Sequence, residues 1–465
     1  MKKPARQVSF FQALAFAGPG VAVAWLIPPM YAILADFYLR YTSATAAGVG
    51  TAMIASKIID AITDPPVGFF SDHTKSALGA RKPWIIAGCL LSMATFLYLF
   101  NPGEGAGNLH FTIGIVLYYV AYTFINIPYR SWLGELTQDY SERTRVWAYF
   151  TIALLVGGVI IMALPILLSS PLLPIFDTPE FDRDMISFIG WVGVILMPLT
   201  IIPAILFTPT GKRNEGAPPT INTFFNVLKD CQPFQMFMLG YGASALGFGL
   251  FYSVIIIVLT SYFGFADRIP LFMLFMVAAQ VVTIPMWEKL GGRFSKHRVW
   301  AAAWAAHVVV APMILLFGPN TAHFWPLVFV GSLTSILQGP HMLFPAAIVN
   351  DIVDSDTLET GRSRAGNFMS VYTFIDKVLH AVGFGVGYYI IAAFNYDPKA
   401  SAHSAWEVFG LMTAAIGLPS LFFALSAFFL FRFPIDAARH RAIREGLAER
   451  DARKLEPHTP ETARS

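Results

Sequence analysis

Twelve long runs of apolar residues follow one another along this chain of 465 residues. Each run is about 20 residues long and poor in charge, the length that an α-helix needs to cross the hydrocarbon core of a bilayer. A segment in lipid must satisfy its own backbone hydrogen bonds, as a helix does. The pattern therefore predicts an all-α polytopic membrane protein with twelve transmembrane helices. The runs lie near residues 11–38, 43–67, 83–101, 110–133, 146–169, 188–208, 234–263, 269–287, 299–317, 324–349, 367–394 and 406–432.

Charge content and placement agree with this class. Soluble proteins carry about 25% charged residues, whereas this chain carries 13% and has a mean hydropathy of +0.58. Of its 32 Lys and Arg residues, 25 fall on one side of the predicted membrane, four on the other and three inside the runs. Basic connections stay in the cytoplasm. We therefore expect a multi-pass protein of the cytoplasmic (inner) membrane with both termini in the cytoplasm.

The longest cytoplasmic connection between runs divides the chain into two halves. It contains Pro, Gly and Lys-Arg, as linkers do, and its segment TINTFFNVLKDC has the N-cap and apolar spacing of a short surface helix. The prediction is one six-helix bundle over 1–208, a linker over 209–233, a second bundle over 234–432 and a cytoplasmic tail over 433–465. Many secondary transporters have two such halves and bind their ligand between them.

The second run carries charges that lipid does not tolerate without a reason. Asp60 and Asp64 are four residues apart and share one helical face. An isolated charge costs at least ~2.5–3.5 kcal/mol at the bilayer centre, and two carboxylates in one cavity repel unless a proton or cation lies between them. The pair predicts a site for Na⁺ or H⁺. In the alternative, Lys57 pairs with Asp60 only to ease insertion, which leaves Asp64 unexplained.

The fourth run places three polar side chains on one face. Thr123, Asn126 and Arg130 fall at positions i, i+3 and i+7. Thr123 and Asn126 can add neutral oxygens to a cation site. Arg130 either binds an anionic or hydroxyl-rich ligand or pairs with an acid from another helix, and the sequence does not separate the two.

The eleventh run holds a second set of charges. Lys377 is a natural partner for Asp60 or Asp64 when no cation is bound, so that lysine and cation compete for the same carboxylates. His380, one turn later, is either a satisfied helix histidine or a proton carrier, and the first is the commoner case. Asp376 points about 100° away from Lys377 and is expected to pair elsewhere.

The first run contains AFAGPGVAVAWLIPP, whose Gly and Pro residues predict a kinked helix that can form a pocket wall. Trp25 in this segment and Tyr372 in the eleventh run are predicted to contact the substrate. No nucleophile–base set and no metal-ligand spacing is present in the sequence, and the two cysteines do not form a disulfide framework. We expect a protein that is not an enzyme and uses no cofactor beyond a coupling ion.

Three segments give the chain a resemblance to a known family. They are DAITDPPVGFFSDHTKSALGARKPW, NIPYRSWLGELTQDYSERTR and DIVDSDTLETGRSRAGNFMSVYTFIDKVLHAVG. Over nearly its whole length the chain resembles the glycoside–pentoside–hexuronide:cation symporters of the major facilitator superfamily, the family that includes melibiose permease. The resemblance implies the major facilitator fold in two six-helix halves. It also implies a monomer in the lipid bilayer with a small-molecule substrate and no nucleic-acid partner.

The resemblance assigns roles to the charged residues. The family's cation-binding aspartates match Asp60 and Asp64, with Thr63 and Thr123 as neighbouring oxygen ligands. Its coupling charges match Lys377 and Lys57. The GFFSD…GARK loop and EKLGGRFSKHR look like the superfamily's paired cytoplasmic gate loops. The gate residues implied are Asp72, Arg81, Lys82, Arg143, Arg293, Arg362 and Arg364.

The sugar pocket departs from that of melibiose permease. Ala24, Asn126, Arg130, Phe150 and Met342 stand where that protein has charged or tryptophan side chains, so we expect another substrate. Arg130 and Lys377 suit an anionic sugar such as a uronide, whereas Phe150 and Met342 suit a less polar glycoside or an amphiphile. The predicted substrate contacts are Trp25, Asn126, Arg130, Phe150, Met342, Tyr372 and His380.

The predicted function is symport of a small sugar-like solute (a glycoside, pentoside or hexuronide), coupled to Na⁺ or H⁺, by alternating access. One alternative is a cation-coupled carrier of lysolipids or other amphiphiles. A less favoured alternative is a membrane sensor that binds a solute without moving it, because a sensor needs no switchable cation site.

Overall fold

The computed structural model describes residues 8–137, 139–211, 228–361 and 364–455. These residues form helices and their connections, and no β-strand is found among them. The predicted all-α class is thus confirmed. The predicted surface helix in the linker lies mostly outside the described residues.

The described part of the first half contains eight α-helices. The first predicted span is broken, because proline lacks the N–H that continues a helix and clashes with the preceding turn; a 3₁₀ turn, Ala24–Leu26, and extended Ile27 lie within it. The helices are α1 (Phe10–Ala17), α2 (Pro19–Val23), α3 (Pro28–Tyr41), α4 (Ala46–His73), α5 (Lys82–Phe100), α6 (Asn108–Leu136), α7 (Tyr140–Leu168) and α8 (Arg183–Phe207).

The second half repeats the pattern and ends in a charged helix. Single π-helical turns extend one of its helices and interrupt another, at Val258–Tyr262 and Thr413–Gly417. The helices are α9 (Gln232–Ile257), α10 (Ile269–Phe294), α11 (Lys296–Val310), α12 (Phe324–Leu343), α13 (Pro345–Thr360), α14 (Ala365–Ala393), α15 (Ala405–Met412), α16 (Leu418–Phe431) and α17 (Ala437–Leu455).

Within the described residues, eleven helical stretches are long and apolar enough to cross a membrane. The broken first span, which begins with the shorter apolar stretch Phe10–Leu26 and continues as α3, accounts for the remaining predicted crossing. The break follows from close packing as well as from proline. A Cβ at Gly20 would lie only 2.7 Å from the carbonyl oxygen of Phe150, so this position of α2 meets the backbone of α7 directly.

The two halves contact each other along α4 and α14. A Cβ at Gly50 would lie 2.9 Å from the carbonyl oxygen of Gly385, so the absence of side chains lets the two backbones approach. Near this contact the hydroxyls of Thr51 and Tyr389 are 2.7 Å apart. The larger cluster of buried apolar side chains is continuous from the first half into this part of the second half.

The C-terminal tail contains a helix that is docked on the second half. Its helix α17 packs on α13, where Ile443 is buried in the core of the second half. Arg444 lies 3.3 Å from Asp354, and the Arg450 guanidinium donates to the carbonyl of Thr357 at 2.6 Å. Apolar burial and these polar contacts together hold α17 to the membrane-spanning bundle.

Candidate cation and substrate site between the halves

The centre of the molecule is an ion-pair cluster that joins the two halves. Asp60 and Asp64 lie one turn apart on α4, as their spacing predicts. The Lys377 ammonium, on α14, lies 3.0 Å from Asp60 Oδ2 and also donates to Asp64 Oδ2. Asp60 is buried, whereas the side chains of Asp64 and Lys377 are each 20% exposed. Buried carboxylates require such compensation.

Neutral oxygens complete the first-half side of this cluster. The Thr123 hydroxyl on α6 lies 2.6 Å from Asp60 Oδ1 and 3.2 Å from Asp64 Oδ1. Two carboxylates and a hydroxyl are the hard oxygen ligands that alkali cations take, so the residues present fit a Na⁺ ion. Thr63 donates instead to the carbonyl of Asp60 at 3.1 Å. The structure thus brings Asp60, Asp64 and Thr123 together, with Thr63 beside them.

Lys57 lies one turn before Asp60 on α4. Its ammonium is 4.0 Å from the centre of the Tyr119 ring, over the ring face. A cation held over an aromatic ring is stabilised by the ring quadrupole. The sequence did not indicate this aromatic partner, because Tyr119 is on another helix and carries no charge.

The first-half substrate residues lie around Arg130 on α6. Its Nε–H donates to Asn126 Oδ1 at 2.8 Å, and its guanidinium lies 5.6 Å from the ring centre of Trp147. Arg130 is exposed, so its terminal nitrogens can meet a ligand. Phe150 is buried and stacks on Trp147 with ring centres 4.9 Å apart.

Two predicted substrate contacts lie in different surroundings. Trp25 is fully buried in the first half, and its indole N–H donates to the carbonyl of Ile189 at 3.1 Å. We leave it out of the proposed substrate site because its polar group is already used. Met342, on α12, is 61% exposed.

The second half contributes a separate polar cluster. Asp376 and Lys377 are adjacent on α14, and their side chains point to different partners, as the 100° rotation per residue predicts. His380 Nδ1 lies 2.8 Å from Asp376 Oδ1, to which the Tyr241 hydroxyl also donates. The Tyr372 ring lies 4.9 Å from that of Tyr241, edge to face.

The first cytoplasmic gate loop is held by Arg81. Its guanidinium contacts Asp72, lies 2.7 Å from Glu135 and donates to the Ser71 hydroxyl at 2.9 Å. Asp72 and Arg81, each predicted as a gate residue, contact each other, whereas Glu135 was not foreseen because it comes from the end of α6. Lys82 donates to two backbone carbonyls at the end of α8, at 2.7 and 2.8 Å.

The other predicted gate residues are distributed differently. Arg143 donates to the carbonyl of Thr137 at 3.2 Å. In the second half, the connection between α10 and α11 is tied by Lys296, whose ammonium lies 2.7 Å from Asp351. Arg293 is exposed, with its guanidinium 5.2 Å from the Phe294 ring centre.

The last two predicted gate residues lie near the start of α14. Arg364 forms a bidentate ion pair with Asp356, in which Nε lies 3.0 Å from Oδ2. Arg362 lies outside the described residues.

The opposite ends of the two halves are joined by contacts that the sequence did not reveal. We call this end, which holds Thr42, Thr260 and Lys399, the outer end, following the predicted orientation. The Thr260 hydroxyl donates to the buried Asp36 at 3.0 Å, and the Lys399 ammonium donates to the carbonyl of Thr42 at 2.6 Å. Arg40 lies 3.1 Å from Asp36 and offsets its charge. Each cross-half contact joins residues over 200 positions apart, so local spacing carries no signal of it.

The sequence matches a family model described as MFS/sugar transport protein over residues 13–437. The chain belongs to the MFS/sugar transport family. An uncharacterized symporter, sll1374 of Synechocystis sp., is 32% identical over 210 residues, which are 42% of this chain and 37% of that protein's length. The putative glycoside/cation symporter YagG of Escherichia coli is 23% identical, over 90% of this chain and 91% of its own.

A further relative and a solved structure are also similar to the chain. The sodium-dependent lysophosphatidylcholine symporter 1 of Homo sapiens is 22% identical, over 83% of this chain and 76% of its own. The crystal structure of the nucleoside transporter NupG has a TM-score of 0.64 at 12% identity and covers 91% of this chain and 98% of that one. Such a likeness shows the fold. The chain is a multi-pass membrane transporter and not an enzyme.

Proposed function

We propose that this protein is a cation-coupled symporter that moves a small sugar-like solute, a glycoside, pentoside or hexuronide, by alternating access. The coupling ion is Na⁺ or H⁺, bound by Asp60 and Asp64 with help from Thr123. The protein works as a monomer in the cytoplasmic membrane, with both termini in the cytoplasm.

The contact of Lys377 with both aspartates carries this proposal. The lysine comes from the second half and the carboxylates from the first, so its ammonium and a cation occupy the same oxygens in turn. A bound cation screens the repulsion between Asp60 and Asp64 and releases Lys377. The contact between the halves then depends on whether the ion is bound. A ligand can shift a conformational equilibrium only if it interacts differently with the two conformations, and this contact provides such a difference.

In this proposal, Arg130 and Asn126 bind the polar end of the substrate. The guanidinium presents a planar array of donors that suits a carboxylate or neighbouring hydroxyls. It lies beside the stacked Trp147–Phe150 pair, and aromatic faces suit the apolar face of a sugar ring. The similarity to YagG, a putative glycoside/cation symporter, supports this substrate class.

Alternating access follows from the arrangement of contacts between the halves. The outer end is held by Asp36–Thr260 and Lys399–Thr42, while each cytoplasmic loop is tied within its own half by Arg81 or Lys296. Rocking of one half against the other breaks the outer contacts and opens the central site to the other side.

Uptake into proteoliposomes tests the proposal. Accumulation of labelled methyl β-glucuronide and methyl β-glucoside is measured under an imposed Na⁺ gradient and, separately, an imposed pH gradient. We expect one gradient to drive accumulation in the wild type and not in Asp60→Asn. Asp267→Asn, which changes an exposed carboxylate in an outer connection, is the matched control and retains accumulation. Gradient-driven accumulation by Asp60→Asn would reject the cation site.

A second candidate is transport of a lysolipid. It is favoured by the similarity to the human lysophosphatidylcholine symporter and by the apolar side chains Phe150 and Met342. The two functions differ in a thermal-shift assay, because a ligand that binds only the folded protein raises its melting temperature. A Na⁺-dependent shift by lysophosphatidylcholine and by no sugar favours the second candidate.

A further inference from the structure

Asp376 is a charged side chain in the membrane-spanning part of the chain that the cation site does not use. One of its oxygens, Oδ1, is 2.8 Å from His380 Nδ1 and accepts a hydrogen bond from the Tyr241 hydroxyl. Among the described residues, no donor reaches the other oxygen, Oδ2. The side chain is 32% exposed. A carboxylate in a transmembrane helix that keeps one open acceptor faces water or a ligand, since exposure to lipid is costly.

Aromatic rings surround this carboxylate. The rings of Tyr241 and His341 stack with centres 5.6 Å apart and an interplanar angle of 7°, and Phe248 lies 4.7 Å beyond His341. His380 packs on Phe248 at 5.6 Å. The cluster therefore combines flat apolar faces with a fixed acceptor, the combination that orients a ligand in most small-molecule sites.

The partners of Asp376 also hold it in place. His380 is one turn along the same helix, whereas Tyr241 comes from α9, so the carboxylate is fixed from two elements. If Asp376 served only to tie α14 to α9, we would expect the protein to bond both of its oxygens, because an unpaired carboxylate oxygen is costly to bury. The side chain instead stays partly exposed, with no bond to Oδ2 among the described residues, which indicates a second partner.

We propose that Asp376 is a specificity-determining residue that accepts hydrogen bonds from ring hydroxyls of the substrate, with His380 and Tyr241 as the groups that position it. The ligand class is a polyhydroxylated ring, such as a pyranose. This subsite rests on the proposed symport function and adds a contact on the second half to the Arg130 contact on the first.

Hydroxyl recognition fits the cluster better than recognition of a quaternary ammonium. A hydroxyl donates to the open Oδ2, whereas a quaternary ammonium has no proton to donate. The imidazole Nδ1 lies 2.8 Å from this carboxylate and 3.0 Å from the backbone carbonyl oxygen of Asp376, and an N–H at this position offsets part of the negative charge that would attract a cation. A choline headgroup is therefore the competing outcome that the experiment must separate.

The position next to Lys377 gives the subsite a mechanical consequence. Asp376 and Lys377 are consecutive residues of α14, one facing the proposed ring hydroxyls and the other the cation carboxylates. A substrate that fixes Asp376 therefore fixes the helix that carries the coupling lysine. This link predicts that sugar and cation change each other's binding affinity by the same factor.

The experiment measures thermal shifts of the full chain in lipid nanodiscs. The probes are methyl β-glucoside, methyl β-xyloside, methyl β-glucuronide and lysophosphatidylcholine, each with NaCl or choline chloride at two pH values. We expect Asp376→Asn to weaken binding of the active sugar about tenfold while leaving the shift by the coupling ion alone unchanged. Asp397→Asn, an exposed carboxylate of an outer connection, is the matched control. We expect the opposite result for Asp60→Asn, in which the thermal shift caused by the ion is lost whereas binding of the sugar is retained.

Other outcomes overturn the assignment. The assignment is wrong if Asp376→Asn binds the sugar with unchanged affinity. It is also wrong if the wild-type protein responds to lysophosphatidylcholine and to none of the sugars. If Asp376→Asn also lost the thermal shift caused by the ion, the Tyr241→Phe variant would be tested in its place. That change removes one hydrogen-bond donor to Asp376 and keeps the charge of the carboxylate. Unaltered sugar affinity in Tyr241→Phe with an intact ion shift would then reject the subsite. Failure of the symport proposal appears separately, as an ion shift that survives Asp60→Asn.

Discussion

The ammonium of Lys377 and the carboxylate of Asp60 lie 3.0 Å apart, although they come from different halves of the chain and are separated by more than 300 residues. The same ammonium contacts Asp64. One side chain thus neutralises two carboxylates that would otherwise repel each other. Because the pair crosses the interface between the halves, its state is coupled to their relative position.

Removal of the Lys377 charge is the direct test of this coupling. In Lys377→Ala, the two aspartates lose their cationic partner, and removing one partner of a buried pair costs about 3–5 kcal/mol. We expect a lower melting temperature without Na⁺, a larger rise when Na⁺ is added, and no cation-driven sugar accumulation. Lys289→Ala, an exposed lysine of α10, is the control and keeps wild-type behaviour. A Na⁺ response no larger than that of the wild type would argue against competition.

Thr123 provides the test of the neutral ligand. Its hydroxyl lies 2.6 Å from Asp60 Oδ1, so Thr123→Val removes an oxygen from the cation site without changing side-chain size much. A hydrogen bond to a charged group is worth about 1.5–3 kcal/mol, and we expect about tenfold weaker Na⁺ binding by isothermal titration calorimetry. Thr112→Val on the same helix removes a hydroxyl that bonds only its own backbone and serves as the control. Equal Na⁺ affinity in the two variants would remove Thr123 from the site.

The cation cluster was largely predictable from sequence, whereas the gates were not. Spacing within one helix fixes which side chains share a face, and that placed Asp60 with Asp64 and turned Asp376 away from Lys377. Partners on other helices depend on how the helices pack. For this reason Glu135, the partner of Arg81, was not foreseen.

The cytoplasmic gate of the second half and the C-terminal tail also have contacts that the sequence did not predict. The gate residue expected in EKLGGRFSKHR was Arg293, whereas the structure pairs Lys296 with Asp351. The sequence predicted a charged cytoplasmic tail over 433–465, and its docking on the second half through the buried Ile443 of α17 was not foreseen. Hydropathy located the membrane spans well because its signal is summed over many residues. A contact between two side chains involves only two positions, so it leaves no repeated pattern in the sequence.

The contact between Thr260 and Asp36 predicts a shift in conformation. Thr260→Val removes the hydroxyl that reaches the carboxylate from the other half, while Arg40 still pairs with Asp36. Loss of a hydrogen bond to a charged group costs about 1.5–3 kcal/mol, which raises the population of protein open at the outer end by at least about tenfold. Spin labels on cysteines introduced at Glu104 and Ser401, both exposed, report the distance between the halves.

The control for this variant is Thr283→Val, because the Thr283 hydroxyl bonds to the backbone of its own helix. Its distance distribution is expected to match that of the wild type. The buried native cysteines, Cys89 and Cys231, are replaced by serine in all samples. Identical distributions in Thr260→Val and Thr283→Val would show that the Asp36 contact does not hold the outer end closed.

Cys231, immediately before α9, predicts a pH dependence of chemical modification. Burial raises the pKa of its thiol above the ordinary value, and only the thiolate is nucleophilic. At pH 8 the thiolate fraction is therefore smaller than that of a free cysteine, and it increases as the pH rises toward the raised pKa. With Cys89 replaced by serine, we expect slow alkylation by iodoacetamide at pH 8, a several-fold faster reaction at pH 9, and rapid reaction once the chain is unfolded in detergent. Mass spectrometry of quenched samples gives the rates, and a folded-state rate at pH 8 equal to that of a cysteine peptide would contradict the burial of this thiol.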